Sequence, residues 1–358
     1  MMKRVMFVCQ SLGNGGAERV VSVLTDGLSK ENMEVFVLAM NNVSQSYKMN
    51  KNVKVIFANR KRTGVLGKIE RILKIREAIK TNQIDIVIAF SHYNAMYSVL
   101  ASIGVKVALI GSERNDPACL QKKKITNFLR NILYRKLDVL VCQTFDAKEY
   151  FSDKIQKKTV VIMNPISDDL PQPYYGEREK RFVSYLRLEP QKNIPLMIRA
   201  FERILAEFPD YRLDIYGDGS EKYNLLNYIK TRNIDNSVHV YPFEKNIHEV
   251  VKNAKAFLLT SNFEGMSNSM IESMAIGLPV IVTDCPCGGA KMVIEDGNNG
   301  ILIPVGNEDV LVQSIRKIIV NNEFATRLSE NGVKIRDRLE KSKIIEEWKE
   351  IIATKGDK

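Results

Sequence analysis

Short apolar runs alternate with helical patterns along the whole chain. Thirteen runs have β-strand character, and most are continuously apolar and bounded by Gly, Pro or Asp. Runs of this kind are typical of strands buried on both faces, in parallel sheets that are covered by helices. The predicted strands are 4–9, 34–40, 53–58, 85–90, 105–111, 138–143 and 159–163, and then, after a break, 181–187, 211–217, 238–243, 256–261, 279–284 and 300–304.

A polar, proline-rich segment separates the two series of strands. We therefore predict an α/β chain of two doubly wound, Rossmann-like domains, over 1–165 and 181–336, joined by a linker over 166–180. A helix over 337–358 could cross back to the first domain. Ligands of doubly wound sheets bind beyond the carboxyl ends of the strands, so the cleft between the domains is the expected site.

Charge is unevenly distributed along the 358 residues, which carry a net charge of +11. Residues 1–170 contain 27 Lys and Arg and 15 Asp and Glu, so the excess of positive charge lies in the first half of the chain. One basic cluster runs from Arg60 to Arg76, and another from Lys122 to Lys136. Between 64 and 80 the apolar residues follow a helical period with basic residues between them. This pattern predicts either a basic amphipathic helix that lies on anionic lipid headgroups or an ordinary surface helix packed on its sheet. Nucleic acid is disfavoured, because no aromatic residues interleave with these charges.

Cysteine and histidine are too few to indicate a metal or disulfide scaffold. The five cysteines and three histidines show no zinc-ligand spacing, which favours a reducing, cytoplasmic compartment. The apolar run near the start is too short for a signal peptide. The uncharged stretch 86–105 fits a strand, a polar loop and a helix better than a membrane span.

A glycine-rich turn follows the first predicted strand. It includes Asn14, Gly15 and Gly16 and opens a helix, where free backbone N–H groups favour an anion. The turn lacks the dinucleotide-binding fingerprint, because Glu18 stands where a third glycine belongs, and it lacks the Walker lysine. A plain tight turn is the alternative interpretation.

The second domain supplies cations and carboxylates at the ends of strands. Arg187 and Lys192 lie at a strand–helix crossover, where they could neutralise a diphosphate or remain solvated surface charges. Glu264 and Glu272 flank an uncharged loop that opens a helix near Asn268. Carboxylates suit vicinal diols, because each oxygen accepts a separate hydrogen bond, so the two could bracket a nucleotide-sugar.

The run from Glu264 to Glu272 resembles the E-x7-E signature of retaining family 4 glycosyltransferases of the GT-B fold. Other landmarks agree in order and cover nearly the whole chain: GNGGAER in the first loop, SERNDP at 112–117, LRLEPQKN at 186–193, GDGSE at 217–221 and the segment 287–304. The pattern is most similar to that of bacterial enzymes that extend lipid-linked or surface polysaccharide oligosaccharides.

The resemblance implies a role for each matching position. Arg187 and Lys192 would hold the donor diphosphate and Glu264 the transferred sugar, and these three are the implied catalytic residues. Glu272 would take the ribose hydroxyls. The other implied substrate-binding residues are Gly15 and Gly16 at the phosphates, Gly217, Asp218 and Gly219 in the nucleotide pocket, Met266, Ser267, Asn268 and Ser269 at the helix start, and Glu113, Arg114 and His92 on the acceptor side.

Two positions depart from the family pattern. Many relatives carry Ser-Glu-His where this chain has Ser112-Glu113-Arg114, so the acceptor-side role falls to Arg114 or to His92. Tyr185 stands where glycine is common, so the following turn could differ.

The implied activity is a retaining, metal-independent transfer of a hexose or N-acetylhexosamine from a nucleotide-sugar, expected to be UDP-linked. The expected acceptor is a polyprenyl-diphosphate-linked glycan at the inner face of the plasma membrane, with no resident cofactor. No Asp-x-Asp motif for a metal is present. The alternatives are a nucleotide-sugar epimerase or hydrolase of similar architecture, which would need a general base, and a non-catalytic nucleotide-binding protein.

Overall fold

The structure is a computed structural model that describes residues 2–13, 15–42, 47, 49–59, 61–120 and 124–355. Asn14 of the glycine-rich turn lies outside the described residues, as do Arg60, Lys122 and Lys123 of the basic clusters.

All thirteen predicted strands are present within the described residues, with small shifts at their ends. They are β1 (Lys3–Cys9), β2 (Met33–Ala39), β3 (Lys54–Phe57), β4 (Ile86–Phe90), β5 (Ala108–Ser112), β6 (Val139–Cys142), β7 (Thr159–Val161), β8 (Arg181–Tyr185), β9 (Arg212–Tyr216), β10 (Val238–Tyr241), β11 (Ala256–Leu259), β12 (Val280–Thr283) and β13 (Ile301–Ile303).

Helices fill most of the connections between consecutive strands. They are α1 (Gly16–Leu28), α2 (Gly64–Thr81), α3 (His92–Ala101), α4 (Lys124–Tyr134), α5 (Phe145–Glu149), α6 (Asp153–Gln156), α7 (Ile194–Leu205), α8 (Lys222–Thr231), α9 (Ile247–Val251), α10 (Asn268–Ala275), α11 (Glu308–Val320), α12 (Asn322–Val333), α13 (Ile335–Arg338) and α14 (Lys341–Lys355), with short 3-10 turns at Pro117–Leu120 and Pro190–Lys192.

The chain forms two compact units, each built on one sheet. Unit 1 comprises Met1–Pro165 with Leu339–Lys358, and unit 2 comprises Ile166–Arg338. The strand order is β3-β2-β1-β4-β5-β6-β7 in unit 1 and β10-β9-β8-β11-β12-β13 in unit 2. Every registered strand pair is parallel. The prediction of two doubly wound, Rossmann-like sheets is therefore confirmed.

Unit 1 carries helices on both faces of its sheet. Because parallel crossovers are right-handed, α2, α3 and α4 lie on one face and α1 on the other. In agreement, α3 packs against both α2 and α4, and α1 packs against α14. The uncharged stretch 86–105 contains strand β4 followed by α3, as the sequence favours. Within the described residues, no helix is both long enough and apolar enough to span a bilayer.

The last helix, α14, completes the core of unit 1. Its buried residues are Ile344, Ile345, Trp348 and Ile352, all of which join the cluster around β1, β2 and α1. The Trp348 ring is fully buried and stacks on Phe90, with ring centroids 6.0 Å apart. At the other end of the helix, Lys341 Nζ donates to Asp26 of α1 at 2.7 Å.

Unit 2 includes the irregular segment that precedes its first strand. Residues 166–180 are all described and contain neither helix nor strand. Arg178 anchors this segment, since its guanidinium donates to the carbonyls of Tyr174 (3.0 Å), Lys252 (3.2 Å) and Ala254 (3.1 Å). The core beneath the sheet is formed largely by α7 and α11, which pack on each other.

Each sheet has one topological switch point, where connections leave two adjacent strands in opposite directions. In unit 1 this point lies between β1 and β4, and in unit 2 it lies between β8 and β11. Crevices beyond the carboxyl ends of such strands are the usual binding sites of open α/β sheets. The glycine-rich turn and His92 follow the two strands of unit 1. Arg187 and Glu264 lie in the loops that follow the two strands of unit 2.

Candidate active site

Hydrogen bonds join the two loops at the switch point of unit 2. Thr260 Oγ1 donates to the carbonyls of Lys192 and Asn193, both at 3.1 Å. The amide of Asn262 donates to Gln191 O at 2.8 Å, and Gln191 Nε2 donates to Phe263 O at 2.8 Å. These bonds hold the loop after β8 against the loop after β11, so side chains from both are fixed relative to each other.

Lys192 and Glu264 form an ion pair between these loops. The ammonium contacts Glu264 Oε1, and the two side chains are 10% and 13% exposed. Ser261 Oγ donates to the same carboxylate oxygen at 2.7 Å. Nearby, burial and then the charge of Glu264 raise the pKa of the Cys285 thiol to about 12, so this cysteine stays protonated at neutral pH. A buried pair costs desolvation, and removing one partner leaves an uncompensated charge.

Arg187 is placed differently from Lys192. Its side chain is exposed and has no hydrogen bond or ion pair with the described residues. The sequence predicts that Lys192 and Arg187 both hold one diphosphate. In the structure, Lys192 is in an ion pair and the Arg187 side chain extends into solvent. An exposed guanidinium next to a switch point can rotate onto an anion without breaking a protein contact.

The glycines of the GDG loop allow two backbone segments to touch. Gly217 has φ +150°, and a Cβ there would lie 1.9 Å from the carbonyl oxygen of Leu186. A Cβ on Gly219 would lie 2.4 Å from the carbonyl oxygen of Leu188. Between them, Asp218 is exposed and pairs with Lys222 Nζ at 2.6 Å. These glycines shape the loop that carries Arg187.

The loop after β11 leads into α10. Ser267 is the N-cap, and its hydroxyl lies 3.0 Å from Ser269 Oγ instead of capping the helix. Met266 and Ser267 are buried, and α10 begins at Asn268, as the sequence predicted. The first-turn amides of a helix lack intrahelical acceptors and lie at the positive end of its dipole. This end of α10 is therefore suited to an anion. A Cβ on Gly289 would lie 1.8 Å from Gly265 O, so another glycine loop packs against the same turn.

Glu272 pairs with a residue that sequence reasoning did not single out. Glu272 lies in α10 with 4% of its surface exposed, and His248 Nε2 is 2.9 Å from its Oε2. Tyr185 packs edge-on against the His248 ring. No motif marks His248, because the pairing depends on how α9 packs beside α10. Tyr185 could have been singled out from the sequence, because it stands where glycine is common in the family.

The carboxylate of Glu18 lies against the glycine-rich turn of unit 1. Gly15 is the N-cap of α1, and a Cβ there would lie 1.9 Å from Glu18 Oε2. Ser11 Oγ donates to the other oxygen of Glu18 at 3.2 Å. The space over the start of α1, beside Gly16, is therefore partly filled by the first-turn glutamate, which complements the helix dipole.

The acceptor-side candidates lie together at the ends of β4 and β5. Glu113 is 2% exposed, accepts a hydrogen bond from the Tyr134 hydroxyl at 2.9 Å, and lies 3.8 Å from His92 Nδ1.

Arg114 donates a hydrogen bond to Asn164. Burial lowers the pKa of the Arg114 guanidinium to about 9, so it remains charged at neutral pH. Among the residues that the structure describes, none makes a hydrogen bond with the buried Nε2 of His92. Both acceptor-side candidates therefore keep one buried nitrogen, Arg114 Nε and His92 Nε2, without a hydrogen-bond partner among the described residues.

Two Rossmann-like units in one chain are typical of the GT-B class of protein. The chain belongs to the glycosyltransferases of this fold: residues 14–170 match the family model described as Glycosyltransferase Family 4, and residues 169–335 match that of Glycosyl transferases group 1. The chain is accordingly an enzyme that transfers sugar, as predicted.

Curated relatives and solved structures agree with this assignment. An alpha-1,4-N-acetyl-D-galactosaminyltransferase of Campylobacter jejuni, whose name gives a GalNAc-GalNAc-diNAcBac-PP-undecaprenol substrate, is 28% identical over 98% of this chain and 99% of its own. A second C. jejuni enzyme, an N-acetylgalactosamine-N,N'-diacetylbacillosaminyl-diphospho-undecaprenol 4-alpha-N-acetylgalactosaminyltransferase, is 28% identical over 90% of this chain and 92% of its own. The Anabaena protein HepE, crystallised with UDP and glucose, shares the fold with a TM-score of 0.86 at 18% identity, over 99% of this chain and 100% of its own.

Proposed function

We propose that this enzyme transfers a hexose or N-acetylhexosamine from a UDP-sugar, with retention and without a metal, to a polyprenyl-diphosphate-linked oligosaccharide in bacterial glycan assembly. The observation that carries the proposal is the Lys192–Glu264 ion pair at the switch point of unit 2, between the loop that also carries Arg187 and the loop that leads into α10. The names of the C. jejuni relatives support the lipid-linked acceptor. The UDP bound to HepE supports the nucleotide.

The proposed mechanism follows from where charge develops. The bond between the anomeric carbon and the β-phosphate oxygen breaks, and a bond forms from the acceptor hydroxyl oxygen to the same face of that carbon. The hydroxyl proton passes to the departing phosphate, so no protein nucleophile is required. Lys192, Arg187 and the positive end of α10 stabilise the negative charge on the leaving group. Glu264 orients the sugar hydroxyls.

A donor and acceptor panel tests the proposal. UDP- and GDP-sugars are incubated with the purified enzyme, with and without an undecaprenyl-diphosphate-linked glycan and with and without EDTA. We expect transfer from a UDP-sugar that persists in EDTA, and NMR of the product is expected to show the donor's anomeric configuration. Product of inverted configuration, or loss of activity in EDTA, contradicts the proposed mechanism. An epimerised or hydrolysed sugar without acceptor product favours the epimerase or hydrolase alternative.

The surface of unit 1 supports the membrane part of the proposal. Both α2 and α4 turn apolar side chains to solvent, on either side of the largely buried α3. On α4 the exposed residues recur at i, i+3, i+4 and i+7, which is one face of a helix. The exposed apolar residues are Val65, Leu66, Ile69 and Leu73 on α2, and Ile125, Phe128, Leu129 and Ile132 on α4.

Both apolar faces lie on helices that also carry, or are flanked by, exposed basic residues. Lys68 on α2 and Lys124, Arg135 and Lys136 at the ends of α4 are exposed. Helices with this composition lie in the interface of anionic bilayers, with the apolar face among the acyl chains and the cations at the headgroups. We propose that unit 1 docks on the cytoplasmic leaflet through α2 and α4, where a lipid-linked acceptor is accessible. Nucleic acid is not a proposed partner.

Replacing Phe128 and Leu129 together with glutamate is expected to weaken binding to phosphatidylglycerol-rich vesicles at least about 10-fold, because two apolar contacts are lost and charge repulsion is added. The measurement is co-sedimentation at low salt, with neutral phosphatidylcholine vesicles in parallel. Tyr223→Glu with Leu226→Glu is the matched control, since both residues are exposed on α8 of unit 2. Equal binding of the native enzyme to neutral and anionic vesicles contradicts the docking proposal.

A further inference from the structure

His248 forms a buried hydrogen bond with Glu272 across two helices of unit 2. The Nε2–H of His248 donates to Glu272 Oε2 at 2.9 Å, and the two side chains are 9% and 5% exposed. A buried carboxylate is costly unless hydrogen bonds satisfy it. The imidazole therefore both offsets the burial of Glu272 and determines which way one of its oxygens points.

Tyr185 connects this pair to the start of α10. The Tyr185 and His248 rings meet edge to face, with centroids 5.6 Å apart and planes at 89°. The Tyr185 hydroxyl donates to Ser269 O at 2.9 Å and lies 2.8 Å from Ser273 Oγ. The ring also packs on Phe257 of β11 at 5.1 Å. Tyr185 is the last residue of β8, so its side chain ties the strand at the switch point to the first two turns of α10.

We infer that His248 and Tyr185 are positioning residues for the sugar donor. His248 orients the carboxylate of Glu272, and Tyr185 holds the first turns of α10, whose positive end faces the diphosphate. The inference rests on the proposed function, in which Glu272 accepts hydrogen bonds from the ribose hydroxyls. Neither residue contacts the donor; each acts through Glu272 or through α10. Both should therefore affect donor affinity much more than the chemical step.

Nucleotide binding by variants of His248 is the first test. His248→Ala is expected to raise the Kd for UDP and the donor KM about 10-fold, with kcat changed less than about 3-fold, because one hydrogen bond to a charged group is lost. His248→Gln can place an N–H near the position of Nε2, so its Kd is expected to return to within about 3-fold of the native value. Glu272→Ala is expected to weaken UDP binding at least as much as His248→Ala.

A double-mutant cycle tests the joint action of the two residues. Tyr185→Phe keeps the ring and removes the hydroxyl, and we expect a rise of about 5-fold in Kd. Because the two rings touch and both residues bond to α10, the double variant His248→Ala, Tyr185→Phe should bind UDP more tightly than the product of the single effects predicts. Thermal unfolding of each variant shows whether it remains folded, and Tyr185→Phe carries the test if the alanine variant does not.

His239→Ala is the control matched to His248→Ala. His239 also faces a carboxylate, Asp214, at 3.1 Å, but it lies on β10 and not beside α10. Its UDP affinity is expected to be unchanged. The possible failures are distinguishable. If the native enzyme binds none of UDP, GDP or ADP, the proposed function fails, and the inference fails with it. If it binds a nucleotide and the His248→Ala and Tyr185→Phe variants bind that nucleotide as tightly as the native enzyme, or lose kcat instead, only the inference is overturned.

Discussion

Replacing Lys192 with alanine is expected to lower sugar transfer at least about 100-fold, the scale of losing one charge-stabilising group in an active site. The variant removes a cation from the switch point of unit 2 and also leaves the carboxylate of Glu264 without its partner. Arg187→Ala is expected to reduce transfer by a similar factor. Initial rates with saturating acceptor provide the measurement.

The two variants separate catalysis from stability. Because the Arg187 side chain has no partner among the described residues, Arg187→Ala should leave the unfolding temperature unchanged, whereas Lys192→Ala disrupts a largely buried pair and should lower it. Arg232→Ala is the control for exposed cations of unit 2, since Arg232 pairs with Glu202 on the surface. Native turnover in both Arg187→Ala and Lys192→Ala would refute the assignment of these residues to the diphosphate.

Trp348→Ala is expected to reduce the free energy of unfolding of unit 1 by about 3–5 kcal/mol, as is typical of removing a fully buried aromatic side chain. The ring is completely enclosed and stacks on Phe90, so its loss opens a cavity between α14 and the sheet. Denaturant unfolding monitored by hydrogen exchange can assign the loss to one unit. Protection should fall in β1 and β4 of unit 1 and persist in β8 and β11 of unit 2.

Trp348→Phe is the conservative comparison, because it retains an aromatic ring in the same place. We expect it to reduce the free energy of unfolding of unit 1 by less than Trp348→Ala does. A loss below about 1 kcal/mol in Trp348→Ala would show that α14 contributes little to the core of unit 1. Equal loss of protection in both units would show that they unfold as one cooperative body.

The sheets were predictable because their strands are continuous apolar runs. A strand buried on both faces needs apolar residues at nearly every position, and few other elements of that length have this composition. The loops at the switch points were predictable for a different reason. They carry glycine, Arg187, Lys192 and the two glutamates in an order that resembles a known family, and topology then places them at the ends of adjacent strands.

The contacts that complete the site were not predictable, because they join short elements that are distant in sequence. His248 lies in a five-residue helix with no motif around it, and Glu18 was considered only as a missing glycine. The exposed face of α4 was missed for a physical reason. Apolar residues at a helical period ordinarily pack inward, and only the structure shows that Ile125 and Phe128 face solvent. On α2, only some of the apolar residues that follow the helical period are buried. Ile75 and Ile79 are buried, whereas Leu66 is exposed.

The return of the chain to unit 1 has a consequence for biosynthesis. Unit 2 is one continuous segment, Ile166–Arg338, whereas unit 1 needs α14, which is translated after all of unit 2. Domains that are contiguous in sequence can fold as they leave the ribosome, but a domain that awaits a late helix cannot be completed. We therefore expect the nascent first unit to expose the apolar surface beside α1 until α14 has been translated, a period in which chaperones would protect it from aggregation.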